Sequence, residues 1–478
     1  MIPLEYLHQD IFSTLREHLL PGERLFLVGG AVRDVLLGKM PEDFDFVIKG
    51  NAKKLSRVVA DQFRGAVYQL DDEHAAMRIL SDCELFKGHI DISELRGESL
   101  EEDLRDRDFT VNAMAIDVTH GANLDIIDPC QGQRDLQNGV IRVCRTDSIV
   151  SDPIRILRGI RLGLVFGFVN DDETKRQMKQ PTLLALVSAE RKRDELFKIF
   201  EPQLAADGFD LLREYDALPV LFPGLRYDEN HTTANFVRKL SIIIKTVIGE
   251  DITADDTIST LQAAFLPYQG ELAAYLDKDI VEGRKRAVLL FFAALAWLSI
   301  DGQDTTADSA FTKKFLSTFC QRLALSNREM NFLRQIIQNR DCVPALTASN
   351  PELDGKTIYK FFRETEESGV GLCLFSLAQN LAGEWGNSDA DSWSQAVLVC
   401  QQLVHHYFTK WESTIEPQTL ITGDDLITIF SLIPGPLFQT VLESVREEQA
   451  AGIINDREDA LSFVKEMLRE KKWGAGDK

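Results

Sequence analysis

The chain has 478 residues, 44% of them hydrophobic and 27% charged, which predicts two to four globular domains with ample core. Its net charge of −22 argues against a sequence-independent nucleic-acid coat, which would be basic overall. It leaves room for an RNA enzyme with one local basic channel, because charge distribution matters more than the sum.

The N-terminal stretch MIPLEYLHQDIF lacks the basic-then-apolar layout of a signal peptide, so the protein reads as cytoplasmic. Residues 1–25 predict a helix, with Leu4, Leu7, Ile11, Leu15 and Leu19 near helical spacing. Short β-type runs follow at 26–28, 44–48, 66–70, 77–80, 89–92, 113–118 and 140–144, with helices over 32–38 and 51–63. This predicts an α+β domain of about 145 residues. Beyond about residue 148 strand signals fade and helical periodicity takes over. The apolar run 287–300 (AVLLFFAALAWLSI) is too short for a membrane span and reads as a buried helix. The seven cysteines form no C-x-x-C pair, which argues against a zinc site or disulfide framework.

The stretch LVGGAVRDVLLGKMPEDFDFVI (27–48) carries the chemistry. On a strand, Asp43 and Asp45 share one face and Phe44 takes the other. Two adjacent acids repel, and a divalent cation between them relieves that. Mg²⁺ suits a few carboxylate oxygens plus substrate phosphates, and two such ions can clamp both ends of a nucleotidyl transfer. A bare D-x-D is ordinarily a solvated strand edge. Here Gly29 and Gly30 follow a strand, where the backbone can approach a phosphate. Arg33 is a natural phosphate partner on the next turn, and Asp34 could hold that arginine. Asp152-Pro153 reads as a helix start with the acid as cap. Asp152, Arg155 and Arg158 then fall at i, i+3 and i+6 on one stripe. That stripe is either a capped, solvated basic face or a pocket that hydrogen-bonds a base edge and phosphates. In LEEDLRDRDFTVNAMAIDV (100–118), alternating charges run into a strand that contains Asn112.

Five segments, GGAVRD…EDFD (29–45), DLRDRDFTVNAMA (103–115), DPCQGQRDL (128–136), SDPIRILR (151–158) and SAERKRDELFKIF (188–200), resemble motifs of the class II tRNA nucleotidyltransferase / bacterial poly(A) polymerase family, in the same order. The resemblance covers roughly residues 25–200 and extends loosely through the helical segment 421–454. It implies an α+β fold: a polymerase β-like nucleotidyltransferase palm head (1–146), a helical neck that recognises the base (147–215), and a helical body and tail (216–478) that bind RNA. Asp43 and Asp45 would hold catalytic Mg²⁺. Gly29, Gly30 and Arg33 would meet the triphosphate, and Arg107 and Asp108 the sugar. Asp152 and Arg155 would read the base, and Arg158 would meet the phosphates. Glu190 and Arg191 would stabilise the neck.

The implied reaction is attack of an RNA 3′-hydroxyl on the α-phosphorus of ATP or CTP. It would add CMP and/or AMP to the 3′ end of tRNA, with no DNA or membrane partner. Oligomeric state is not legible. Poly(A) addition and a silent RNA-binding relative are the alternatives. Two positions depart from the pattern: Asp106 stands where the family has Arg, and Ser151 where it has Glu. Ser151 can still cap a helix, but a carboxylate that would orient Arg155 is lost. The compact segment 65–97 leaves little room for a long loop, and in this family a shortened loop goes with partial CC- or A-adding activity. Asp91 is either a third acid or a strand-surface acid. No His-Asp dipeptide occurs, so the metal-dependent phosphohydrolase of some relatives is not expected. His231 lacks partners for one, and His405-His406 reads as packing. GRKR (283–286) and REKK (469–472) are candidate phosphate contacts or ordinary solvated faces.

Overall fold

The computed structural model describes residues 9–41, 43–71, 75–83, 86–120, 125–225, 232–250, 252–253, 255–300, 310–349, 352–385 and 390–470. Leu4, Leu7 and His231 lie outside them. The chain groups into two compact units, Met1–Glu195 with Leu211–Val220, and Leu196–Asp210 with Leu221–Lys478.

The first unit is built on a seven-stranded sheet. In chain order it runs α1 (Gln9–Glu17), β1 (Arg24–Val28), α2 (Gly30–Leu36), β2 (Phe44–Lys49), α3 (Ala52–Gln62), β3 (Ala66–Asp71), β4 (Ala76–Cys83), β5 (Phe86–Glu94), α4 (Leu100–Arg105), β6 (Ala115–Asp117) and β7 (Ile126–Ile127). The strand order is β3-β4-β5-β2-β1-β6-β7. Only β2 and β5 pair in parallel; the other neighbours are antiparallel. Leu25 to Val28 are all buried, which explains why β1 is a continuous apolar run rather than an alternating one. On β2, Phe44 and Phe46 are buried and meet Phe12 of α1 edge-on at 6.0 and 5.6 Å. That packing sets the face of β2 and leaves Asp45 on the opposite one. The Asn51 side chain caps α3 by accepting the Lys54 N–H at 2.7 Å.

The elements that follow are α5 (Gly132–Asn138), β8 (Val140–Ile141), α6 (Ser148–Ser151), α7 (Arg155–Phe166), β9 (Val169–Asn170), α8 (Asp172–Met178) and α9 (Ala189–Ile199). Four local expectations need correction. The helix expected over 1–25 ends at Glu17 among the described residues, and β1 has begun by Arg24. Asn112 lies in a 3₁₀ turn, Thr110–Asn112, before β6 rather than inside it. Its side chain accepts from Arg33 and donates to Asp108. The predicted strand 140–144 shrinks to Val140–Ile141, with an isolated bridge between Val143 and Phe109. The helix expected from Asp152 starts at Arg155, because Asp152 is extended (φ −145°, ψ 93°) and ends α6 instead of capping α7.

The second unit is almost wholly helical. Its centre is the helix Arg286–Ile300, whose Phe291 and Phe292 pack on Phe200 and Phe197. A two-stranded hairpin (Asp279–Val281 with Arg284–Lys285) is β structure the helical reading did not expect. That hairpin carries the basic run 283–286, which is not an open phosphate contact. Arg284 pairs with fully buried Glu329 at 3.0 Å, Lys285 with Asp277, and buried Arg286 with Glu367 while lying 4.4 Å from the Tyr275 ring. At the C-terminal end, Ile421, Leu426, Val441, Val445 and Val464 form a core of their own. No described helix is long and apolar enough to cross a membrane.

Candidate active site

The site begins at the β1–α2 turn. Gly29 has φ 73° and ψ −136°, a conformation that a side chain makes costly. A Cβ there would stand 3.0 Å from Arg107 Nη1 and 3.6 Å from Asp45 Oδ2. A Cβ on Gly30 would stand 3.3 Å from Arg33 Nη2. The paired glycines therefore let the backbone come up against an acid and two guanidiniums at once.

Asp45 sits in the sheet between Val28 of β1 and Asp91 of β5. Asp43 precedes β2 and pairs with His89 at 3.0 Å. Asp91 is held by Arg78 in a two-pronged pair at 2.8 and 2.7 Å. Burial pushes the Asp45 carboxyl above its ordinary range; Arg107 opposes this, while Asp91 and Asp43 add to it. A buried acid destabilised by neighbouring acids is suited to a divalent cation. Among the described residues no group of three or more His, Cys, Asp or Glu side chains is gathered to hold a metal alone. A hard cation that keeps waters and substrate phosphates in its shell fits two carboxylates, as Mg²⁺ does; Asp43 and Asp45 are the donors that match.

A chain of hydrogen bonds and ion pairs joins the other motifs. Arg33 is clasped by Asp34 (2.9 and 3.1 Å), donates to Asn112 Oδ1 at 2.6 Å, and lies 4.5 Å from the Phe166 ring. Asn112 in turn donates to Asp108 Oδ1 at 3.2 Å, and Asp108 Oδ2 pairs with Arg158 at 2.9 Å. Burial alone would raise the Asp108 carboxyl, but Arg158, Asn112 and the Phe109 N–H outweigh it and hold it below the usual range. Arg107 pairs with buried Asp103 at 3.3 Å.

Asp152 and Arg155 do not form the simple stripe that helical spacing predicts. Their side chains stand 4.0 Å apart. Asp152 is taken by Arg191 at 3.0 and 2.9 Å, which gives Arg191 a direct hold on the neck. Buried Arg155 donates to Ser148 and to the Asp106 carbonyl. Ser151 does not cap; its hydroxyl turns back to the Ser148 carbonyl at 2.9 Å. Asp106, the departure from Arg, binds Arg145 at 2.8 Å. His405 meets Tyr268 at 2.9 Å and His406 meets Thr414 at 3.2 Å, the packing role expected of them.

Sequence reading missed His89, Arg78 and Ser148 and gave Asn112 no role. Period-two alternation was the available signal for His89, since it shares a face of β5 with Asp91, the strand beside Asp45. Nothing local marks Asn112 or Ser148, whose partners include residues 79 and 40 positions away.

Residues 25–142 match the family described as "Poly A polymerase head domain", and residues 167–228 the one described as "Probable RNA and SrmB- binding site of polymerase A". The chain is 25% identical over 444 residues to a CC-adding tRNA nucleotidyltransferase of Synechocystis sp., covering 92% of this chain and 93% of that one. It is 26% identical over 463 residues to an A-adding tRNA nucleotidyltransferase of Halalkalibacterium halodurans, covering 94% and 90%. A CCA-adding enzyme solved in complex with ATP shares the fold, with a TM-score of 0.64 at 24% identity over 99% of this chain and 95% of that one. With the glycine turn, the acid pair and the motif order all in place, residues 25–142 belong to the poly(A) polymerase head-domain family, and the chain is similar along nearly its whole length to tRNA nucleotidyltransferases.

Proposed function

We propose that the protein is a template-independent RNA nucleotidyltransferase that adds CMP and/or AMP to the 3′ end of tRNA in the cytoplasm. One observation carries this most: Gly29, Asp45 and Arg107 converge within 3.6 Å of a single point at the end of β1. The names of the full-length relatives, one CC-adding and one A-adding, support tRNA, CTP and ATP as substrates.

The RNA 3′-hydroxyl attacks the α-phosphorus of the nucleotide and pyrophosphate leaves. Asp43 and Asp45 would hold Mg²⁺, which when bound would supply positive charge to acidify the attacking hydroxyl and offset the leaving group. The Gly29–Gly30 backbone and Arg33 seat the triphosphate, and Arg33 is kept in place by Asp34 and Asn112. Arg107 and Asp108 meet the sugar. Arg158, anchored by Asp108, faces phosphate charge. Asp152 and Arg155 read the base, the first held by Arg191 and the second by Ser148 and the Asp106 carbonyl. The silent RNA-binding alternative leaves Asp45, whose charge burial and the neighbouring Asp91 and Asp43 disfavour, without a purpose. The helical head-to-tail division at 146 and 215 remains part of the proposal: head for chemistry, neck for the base, body and tail for RNA.

The test is pyrophosphate release from CTP or ATP in the presence of tRNA. It should require Mg²⁺ and a free 3′-hydroxyl, and stop when that end is oxidised with periodate. Release that ignores the RNA end would contradict the assignment.

A further inference from the structure

Arg155 is only 8% exposed, and its guanidinium is held by three protein oxygens. Nη2 donates to the Asp106 carbonyl at 2.7 Å; Nη1 donates to Ser148 Oγ at 2.7 Å and faces the Ser148 carbonyl at 3.3 Å. Only one of the three is a side-chain atom. The Asp152 carboxylate, at 4.0 Å from Nε, is beyond hydrogen-bond range. The Ser151 hydroxyl is committed to a backbone carbonyl. Ser148 itself is fully buried, and its hydroxyl donates to the Asp108 carbonyl at 3.3 Å. One hydroxyl thus ties the Arg107–Asp108 segment to Arg155.

We infer that Ser148 is a positioning residue for nucleotide selection: its hydroxyl fixes the orientation in which Arg155 presents its remaining donors to the incoming base. This rests on the reading that Arg155 meets that base. A guanidinium has five N–H donors in a rigid fork, so its selectivity depends on how the fork is turned. At residue 151, where a carboxylate would orient the fork, this chain has a serine that points elsewhere. Ser148 Oγ is then the side-chain acceptor on Arg155, and it carries the proton of its own hydroxyl to Asp108, which settles its lone pairs toward Nη1. Losing that acceptor frees the fork to turn and to meet more than one base edge.

The experiment measures steady-state kinetics on a tRNA transcript with the preferred nucleotide and with UTP, for wild type, Ser148→Ala, Ser148→Cys, Arg155→Ala and the Ser148→Ala/Arg155→Ala double variant. Loss of one such bond to a charged group predicts about a tenfold drop in the ratio of kcat/KM between the preferred nucleotide and UTP. The fall should appear mainly in KM. Cysteine keeps the volume but is a poor acceptor, so it should behave like alanine. The double variant should discriminate no worse than Arg155→Ala alone. An Ser148→Ala variant that melts lower but keeps its discrimination would overturn the inference, as would full recovery by cysteine, which would assign the effect to packing. A wild-type chain that extends no RNA would overturn the functional reading and this inference with it; an active wild type with unchanged Ser148 variants would overturn the inference alone.

Discussion

Arg33 donates to Asn112 at 2.6 Å, and this bond ties the segment after the Gly29–Gly30 turn to the segment 103–115. Asn112 passes the link to Asp108 at 3.2 Å, and Asp108 to Arg158 at 2.9 Å. Elements that would meet three parts of a nucleotide are therefore one unit, joined by two hydrogen bonds and an ion pair, before any nucleotide arrives. Such preorganisation reduces the ordering cost of binding.

Asn112→Ala should leave Arg33 to Asp34 alone and raise KM for the nucleotide about tenfold, with a smaller change in kcat, the scale of one charge-assisted hydrogen bond. Steady-state kinetics at saturating tRNA check this. An unchanged KM would mean that the bridge does not serve binding.

Asp45→Asn should lower kcat by at least about 10³-fold, a loss of roughly 4 kcal/mol of transition-state stabilisation. The same change removes a charge that burial and its neighbours Asp91 and Asp43 disfavour. Its Tm in metal-free buffer should therefore match or exceed that of wild type. Differential scanning fluorimetry with and without Mg²⁺ reads this directly. A large drop in Tm would show Asp45 to be structural.

Gly29→Ala forces a side chain into a positive-φ conformation and against Arg107 at 3.0 Å. The strain is of order 1–3 kcal/mol, and activity should fall with it as Arg107 is displaced from Asp45. Gly22, also at positive φ but with open space around it, is the control: Gly22→Ala should cost stability without touching nucleotide binding.

Asp108 titrates below the ordinary carboxylate range, so it contributes stability above its unfolded pKa near 4 that is lost as pH falls through its folded value. Asp108→Asn lacks that contribution at every pH. The difference in Tm between wild type and variant should be widest near pH 6–7 and narrow below about pH 4. A gap that stays constant down to pH 3 would mean that the carboxylate is not what stabilises the network.

Arg284→Ala should destabilise the protein by about 3–5 kcal/mol, because it leaves Glu329 charged and fully buried. An Arg284→Met/Glu329→Leu pair should recover part of that loss, short of the cap that Glu329 also provides by accepting the Ser326 N–H at 2.6 Å. Tm gives both values. Under this account the refolded double variant binds tRNA like wild type; weakened binding would return the run 283–286 to the RNA contacts.

The parts legible in the sequence obey short periods. The strand Leu25–Val28, the glycine turn and the alternation of Phe44 and Asp45 need only a window of a few residues, and the sheet places them as expected, with Asp43 just ahead of the strand. Asp152 is the opposite case. Extended backbone at 152 breaks the helix that spacing presumed; its carboxylate still stands 4.0 Å from Arg155 Nε, but its hydrogen bonds go to Arg191, 39 residues on. The partners of the basic run 283–286 were illegible for a similar reason: Glu329 and Glu367, which pair with its two arginines, come from distant helices. Long-range pairing also explains why Asp106 is tolerated, since its carboxylate engages Arg145 and its carbonyl, which any residue supplies, holds Arg155.

The most direct measurement is gel-resolved extension of three tRNA transcripts, ending before the CCA tail, after its first C and after its second, each with CTP, ATP or both in Mg²⁺. The account predicts discrete products of one to three added nucleotides, abolished in Asp45→Asn. The length of those products identifies full CCA addition, CC addition or A addition. Long adenylate tails would place the chain among the poly(A) polymerases, and no extension of any transcript would contradict the assignment of Asp43, Asp45 and the glycine turn to catalysis.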